Sequence, residues 1–361
     1  MNTQQLDDLN SSLNVLLRTV KEDTSEFPPF DLLDEIKQCL EFLANSPKML
    51  AKQRAEYISL SWPADLRVVL NRLFRTFKIP EEYIQSCYEL SNCAAQSLGA
   101  DWLKSSDAQF VRLLASLSSG RLRVLLDKPE DINMAQLIAC LQLQEYFFGC
   151  VEDEQCWMSD DELGSLFEIS SQSFEDFNPW KELGATFVAK CCQEAAAFVF
   201  SYMAICARQM SNISLHMDLF LVLYRFICAF LSINGSAIID ATLLKEGLPP
   251  LIDVCKYCLS QRDASMSWFL LGNIPDFADP LPPDVLGLIM QYVGLVLSKL
   301  DTDKLALTQQ VSELVERLVD RQGWYTEQTL TDLKQLADIS HRLDAGHLTD
   351  LVRRIRMNAK T

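Results

Sequence analysis

Only 12 glycines are spread over the 361 residues of this chain, where the ordinary frequency of roughly 7% would give about twice as many. Glycine supplies the positive-φ positions of tight hairpins and the bare backbone of phosphate-cradling loops. A chain this poor in glycine closes few β-turns and builds few nucleotide sites. The pattern it does carry is helical. Ser46-Pro47 and Ile79-Pro80-Glu81-Glu82 place proline at a helix start, the second with acids that suit the positive end of the helix dipole. Trp62-Pro63 opens another helix, in which Leu66, Val69, Leu70, Leu73 and Phe77 recur at helical spacing. Ser106, Asp131 and Asp160 are candidate N-caps, while Pro249-Pro250, Pro275, Pro280 and Pro282-Pro283 mark breaks. No alternating run of strand residues accompanies them.

Helices are expected over about 1–20, 31–44, 47–60, 63–77, 80–98, 106–126, 131–149, 160–176, 179–210, 212–232, 236–246, 249–260, 282–300, 302–321, 326–340 and 346–358. Helices this numerous, with short connections, fit an all-α fold of the ARM/HEAT-like α-solenoid kind, a right-handed superhelix in which each pair buries one face on its neighbour. No repeat of fixed period accompanies the pattern. The reading is of one helical repeat domain over 1–361, with a candidate flexible segment at 21–30 around Phe27-Pro28-Pro29 and an acidic segment at 150–180. The most apolar region is 183–244, and its longest uncharged runs, Ala195–Ala207 and Phe226–Ile239, fall short of the ~20 apolar residues of a membrane span and read as core helices.

Charge narrows the partners. The formal net charge is −17, from 49 acids against 32 bases, which disfavours a polyphosphate and favours basic or helical peptide segments. Pro129 to Trp180 holds twelve acids and no lysine or arginine. Within it, Glu152, Asp153, Glu154, Asp160, Asp161, Glu162, Glu175 and Asp176, with Trp157 and Trp180 as flanking anchors, are the candidate partner-binding residues. The C-terminus inverts the sign, with Arg353, Arg354, Arg356 and Lys360; at most a weak peripheral contact with acidic lipid is expected of it.

Catalytic and metal chemistry find little purchase. Twelve cysteines sit mostly in apolar helical stretches behind an N-terminus without a secretory pattern, and are expected reduced, in cytosol or nucleus. Cys255-Lys256-Tyr257-Cys258 is the one CxxC, and zinc would need two further ligands, with only His216, His341 and His347 available. Cys191-Cys192 is expected to turn one thiol inward and the other toward a groove. Ser118-Ser119-Gly120-Arg121 reads as a turn between helices. No catalytic residue, cofactor or metal is expected.

Several segments stand in an order that resembles one family. Leu98-Gly99-Ala100-Asp101-Trp102-Leu103 is followed by Phe110-Val111-Arg112-Leu113-Leu114 and Leu122-Arg123-Val124-Leu125-Leu126. Leu244-Lys245-Glu246-Gly247-Leu248-Pro249-Pro250-Leu251 precedes Cys255-Lys256-Tyr257, and Gln322-Gly323-Trp324 comes last. In this order they resemble the later part of neurochondrin, whose members are longer and carry further helical repeats ahead of this region; the chain reads as a short member or a fragment. The resemblance implies a cytoplasmic, non-enzymatic adaptor linked to neurite outgrowth and signalling, with signalling kinases and receptor tails as partners and a place near endosomal or neurite membranes. A regulatory subunit of a larger complex is the alternative, and a thiol- or metal-dependent enzyme the last.

Overall fold

A computed structural model of the chain describes residues 3–45, 51–104, 108–127, 132–152, 184–209, 216–233, 235–277, 281–299, 304–321, 324–341 and 347–358. The fold is all-helical, and no strand occurs among the described residues. Two compact units divide the chain, Met1–Phe198 and Val199–Thr361.

The first unit contains α1 (Thr3–Glu22), α2 (Phe30–Ala44), α3 (Ala51–Ile58), α4 (Ser61–Arg75), α5 (Glu81–Leu98), α6 (Ala100–Lys104), α7 (Ala108–Leu126), α8 (Met134–Glu152) and the first part of α9 (Ala185–Gln209). Helix α1 packs on α4 and α2, α2 on α5, α5 on α8 and α8 on α7. The sequence dictates this through apolar stripes. Leu13, Leu17 and Val20 line one face of α1, Leu33, Ile36, Leu40 and Leu43 one face of α2, and all are buried. Helix α5 is buried along Cys87, Leu90, Ala94 and Leu98, as a helix flanked by α2, α4 and α8 must be. Gly99 ends it at φ 78°, in the left-handed region where a Cβ is disfavoured, so α6 can start at once in a new direction.

The second unit continues with α10 (Met217–Ser232), a short 3-10 turn (Gly235–Ala237), α11 (Ala241–Ser260), α12 (Ala264–Leu271), α13 (Ile274–Phe277), α14 (Pro283–Ser298), α15 (Lys304–Leu318), α16 (Glu327–His341) and α17 (His347–Asn358). Helices α10, α11 and α12 pack mutually, α14 covers α11 and α12, and α15, α16 and α17 close on α14 and one another. Asp240 and Asp263 start α11 and α12 as N-caps, their carboxylates accepting from Thr242 N at 2.8 Å and Met266 N at 3.2 Å.

Four local expectations are corrected. Pro249-Pro250 does not break the chain but lies inside α11. Gly247, Pro250, Leu251, Val254, Cys255 and Cys258 form one buried helical face, and its packing outweighs the hydrogen bonds that two imino nitrogens cannot donate. Ser118–Arg121 is helix, not turn: Ala115 and Leu122 bury α7 on either side, which overrides the ~1 kcal/mol propensity deficit of one glycine. Phe77 falls outside its expected helix, because Thr76 is already extended; it is exposed, with the Lys78 ammonium 5.3 Å from its ring centre. Finally, α6, α12 and α13 occupy stretches where no helix was expected; they are too short for periodicity to register. The expected helix at 160–176 and the N-caps Ser106, Asp131 and Asp160 lie outside the described residues.

Candidate functional site

Where α1 meets α2, the stripes that bury the two helices leave a second, neighbouring set of apolar residues exposed or half-buried. Leu9, Val15 and Leu16 from α1 and Cys39 and Phe42 from α2 line an open groove of about 650 Å³. Val15 is 66% exposed and Phe42 56%. An exposed phenyl facing an exposed isopropyl across a groove is unusual for a solvated helix pair, and such patches are where proteins meet other proteins.

The walls of the groove are held from below and from one end. The Ser61 hydroxyl donates to Asn14 Oδ1 at 2.6 Å, Trp62 Nε1 to Asn10 Oδ1 at 3.1 Å, and Lys21 Nζ to Asp65 Oδ1 at 2.5 Å, tying α1 to α4. The connection from α1 to α2 makes contacts of its own. Arg72 donates to the carbonyls of Asp23 at 2.7 Å and Val20 at 3.0 Å, Tyr83 donates to Pro28 O at 2.9 Å, and the Phe27 ring lies 5.1 Å from that of Tyr83. Within it the Asp23 carboxyl is lowered below the usual range, chiefly by the Ser25 N–H whose hydrogen bond it accepts and next by the Ser25 hydroxyl.

Acids dominate the rim. Glu35 lines the groove, Asp31 stands one turn before it on the same row, and Asp8 stands one turn before Ser12; all three are exposed. Asp34 accepts from Gln38 Nε2 at 2.8 Å. Arg18 is the exposed base on the neighbouring turn of α1, while Lys37 is engaged by Glu89 at 2.6 Å. The groove is therefore apolar with an acidic edge.

Cys39 is the described cysteine that is not buried. Partial burial first, and then the Glu35 carboxylate, push its thiol above the ordinary range, so it reacts as a slow thiol rather than a nucleophile. In a Cys156→Ser background, which removes the cysteine outside the described residues, maleimide is expected to modify Cys39 before any other cysteine, faster as pH rises. Equal labelling of several sites at the earliest time would contradict the burial pattern.

The remaining sequence candidates distribute differently. Asp153, Glu154, Trp157, Asp160, Asp161, Glu162, Glu175, Asp176 and Trp180 lie outside the described residues, and Glu152 is the last residue of α8. Cys191 and Cys192 are both buried, correcting the expectation that one faces a groove; they sit on α9 among Val188, Ala195 and Ala196, and burial pushes Cys191 up to about 11 and Cys192 well above the ordinary range. Cys255 and Cys258 are buried on α11, and burial pushes their thiols up to about 12 and about 11, the Tyr224 hydroxyl acting in the lowering direction at Cys255. His347 faces Glu316 at 3.4 Å on the surface. Among the described residues, no three His, Cys, Asp or Glu side chains converge as a metal site, and no helix is long and apolar enough to cross a membrane. Trp62, Trp102 and Trp324 are fully buried.

The groove was not read from the sequence. Its signal was there in Val15-Leu16-Leu17 and Phe42-Leu43, short apolar runs whose last member fills the core while the first overhangs it. Comparison of the chain with protein families, with characterised proteins and with solved structures returned no match.

Proposed function

We propose that the chain is a neurochondrin-like cytoplasmic adaptor that binds other proteins, its helices stacked as an ARM/HEAT-like α-solenoid. The observation that carries the binding role is the α1–α2 groove, with Val15 and Phe42 exposed over an acidic edge. Its occupant is a basic amphipathic helix. Apolar side chains at i, i+3, i+4 and i+7 would seat between Val15, Leu16 and Phe42, and lysines on the flanks would meet Glu35, Asp31 and Asp8. The order of the neurochondrin-like segments supports the family assignment and directs the search for natural partners to basic stretches of signalling kinases and receptor tails.

The test uses a synthetic leucine–lysine amphipathic helix of about five turns, with a leucine–glutamate helix of equal length as control. The basic helix is expected to bind, to protect Cys39 from maleimide, and to lose roughly tenfold in affinity against Phe42→Asp, because an ionised side chain in the apolar wall must be desolvated. Circular dichroism should be unchanged, since Phe42 lies outside the core. Binding that ignores Phe42→Asp and leaves Cys39 open to maleimide would assign the basic helix to another surface, and the groove would lose its role.

A further inference from the structure

A second groove, at the other end of the chain, carries the opposite charge. Helix α17 buries Leu348, Leu351, Val352 and Ile355 against its neighbours, which leaves Arg353, Arg354, Arg356 and Met357 on its outer side. Between α17 and α16 this leaves a groove of about 350 Å³ whose apolar part is Ala337, Val352 and Met357, the last 59% exposed. Lys334 stands on the α16 wall, and Arg353 and Arg356 on the α17 wall; Asp338 is the one acid among the lining residues.

The cations are not there to hold the helices together. Arg354 turns away to Asp320 at 3.3 Å, and Arg353 reaches only Asp350 on its own helix at 3.2 Å, a surface pair of small worth. Among the described residues, Lys334 and Arg356 are in no ion pair. A chain of net charge −17 thus keeps two uncommitted cations and an exposed methionine facing each other across one cleft.

We infer that the α16–α17 groove is a docking site for an acidic amphipathic helix of another protein. The charge selects the partner's sign. The shape selects its class: cations stand on both walls of a concave, apolar-floored cleft, which fits an inserted row of side chains with carboxylates on either flank, whereas a flat lipid surface would meet a convex basic face. Met357, flexible and polarisable, adapts to whichever apolar side chain enters. This site is independent of the α1–α2 groove, and the two select partners of opposite charge.

The full chain is titrated with a fluorescent leucine–glutamate amphipathic helix of about five turns. Binding is expected at low salt, weakening as salt rises, and falling roughly tenfold in the double variant Lys334→Glu/Arg356→Glu. Lys334→Arg/Arg356→Lys should restore it, and Phe42→Asp should leave it untouched, so that failure here and failure of the α1–α2 groove are read separately. Affinity unchanged by the charge reversal would overturn the assignment. So would vesicles rich in anionic lipid that bind the chain through Lys334 and Arg356 while the acidic helix does not; the site would then be a membrane contact. Should the double reversal lose helicity, Lys334→Gln/Arg356→Gln replaces it with the same expectation in smaller measure.

Discussion

Trp102→Ala is expected to cost the first unit about 3–5 kcal/mol. Trp102 is fully buried on α6, its Nε1–H donating to Pro63 O at 3.2 Å and its ring edge-on to Phe110 at 6.1 Å. Truncation opens a cavity where α6 meets α4 and α7, and removes the second hydrogen bond that the Pro63 carbonyl accepts beyond its place in the α4 ladder. A domain is stable by only about 5–15 kcal/mol, so the loss would take a large share of the unit's margin. The measurement is urea unfolding followed by circular dichroism, with two transitions allowed for two units and one of them displaced. Trp102→Phe separates the causes: it keeps most of the apolar volume and loses the hydrogen bond, and should fall between wild type and Trp102→Ala. Trp268→Ala is the internal comparison, since that ring is only partly buried and lies 6.2 Å from Tyr292. A loss under about 1 kcal/mol at Trp102 would mean that α6 can collapse onto the gap, contrary to the cavity argument.

Trp102 also shows what kind of information the sequence carried. The residues on which the neurochondrin-like reading is proposed are residues of the fold: Gly99 holds a positive φ, Trp102 and Trp324 are core, and Gly247 allows a close packing contact. Such positions are constrained by sterics, which leave few alternatives, and they are therefore legible one at a time. Long helices were legible for the related reason that a stripe such as Leu66, Val69, Leu70 and Leu73 repeats often enough to reveal its period. Pro249-Pro250 misled because its local cost is visible in sequence while the packing that outweighs it is not. The grooves were hidden by the same asymmetry. Val15, Phe42 and Met357 are ordinary apolar letters until the packing of neighbouring helices shows them exposed, and Lys334 and Arg356 lie 22 positions apart, brought together by the packing of α16 on α17. The basic C-terminal stretch was visible; that part of it shares a cleft with Lys334 and an apolar floor was not.

Gly247→Ala is expected to destabilise the second unit even though alanine is the better helix former. In the middle of α11 the substitution should gain up to about 1 kcal/mol from propensity. Against it, a Cβ at 247 would lie 1.9 Å from Cδ1 and Cε1 of Phe200, far inside van der Waals contact, and Phe200 is 1% exposed with no room to swing aside. Overpacking of this kind costs typically about 1–3 kcal/mol, so the net sign is destabilising. Gly287, in α14, supplies the opposite case: nothing lies within 4 Å of a Cβ built there, and Gly287→Ala should stabilise. The pair of glycines thus predicts opposite shifts in the unfolding midpoint for the same chemical change. Adding Phe200→Leu to Gly247→Ala should recover part of the loss, although Phe200→Leu alone destabilises, because the smaller side chain makes the space that the methyl needs. A double-mutant cycle reads this as a favourable coupling of order 1 kcal/mol. Strictly additive losses would show that α11 shifts bodily away from α9 to accept the methyl, and that the close approach at Gly247 is a convenience of packing, not a constraint on it.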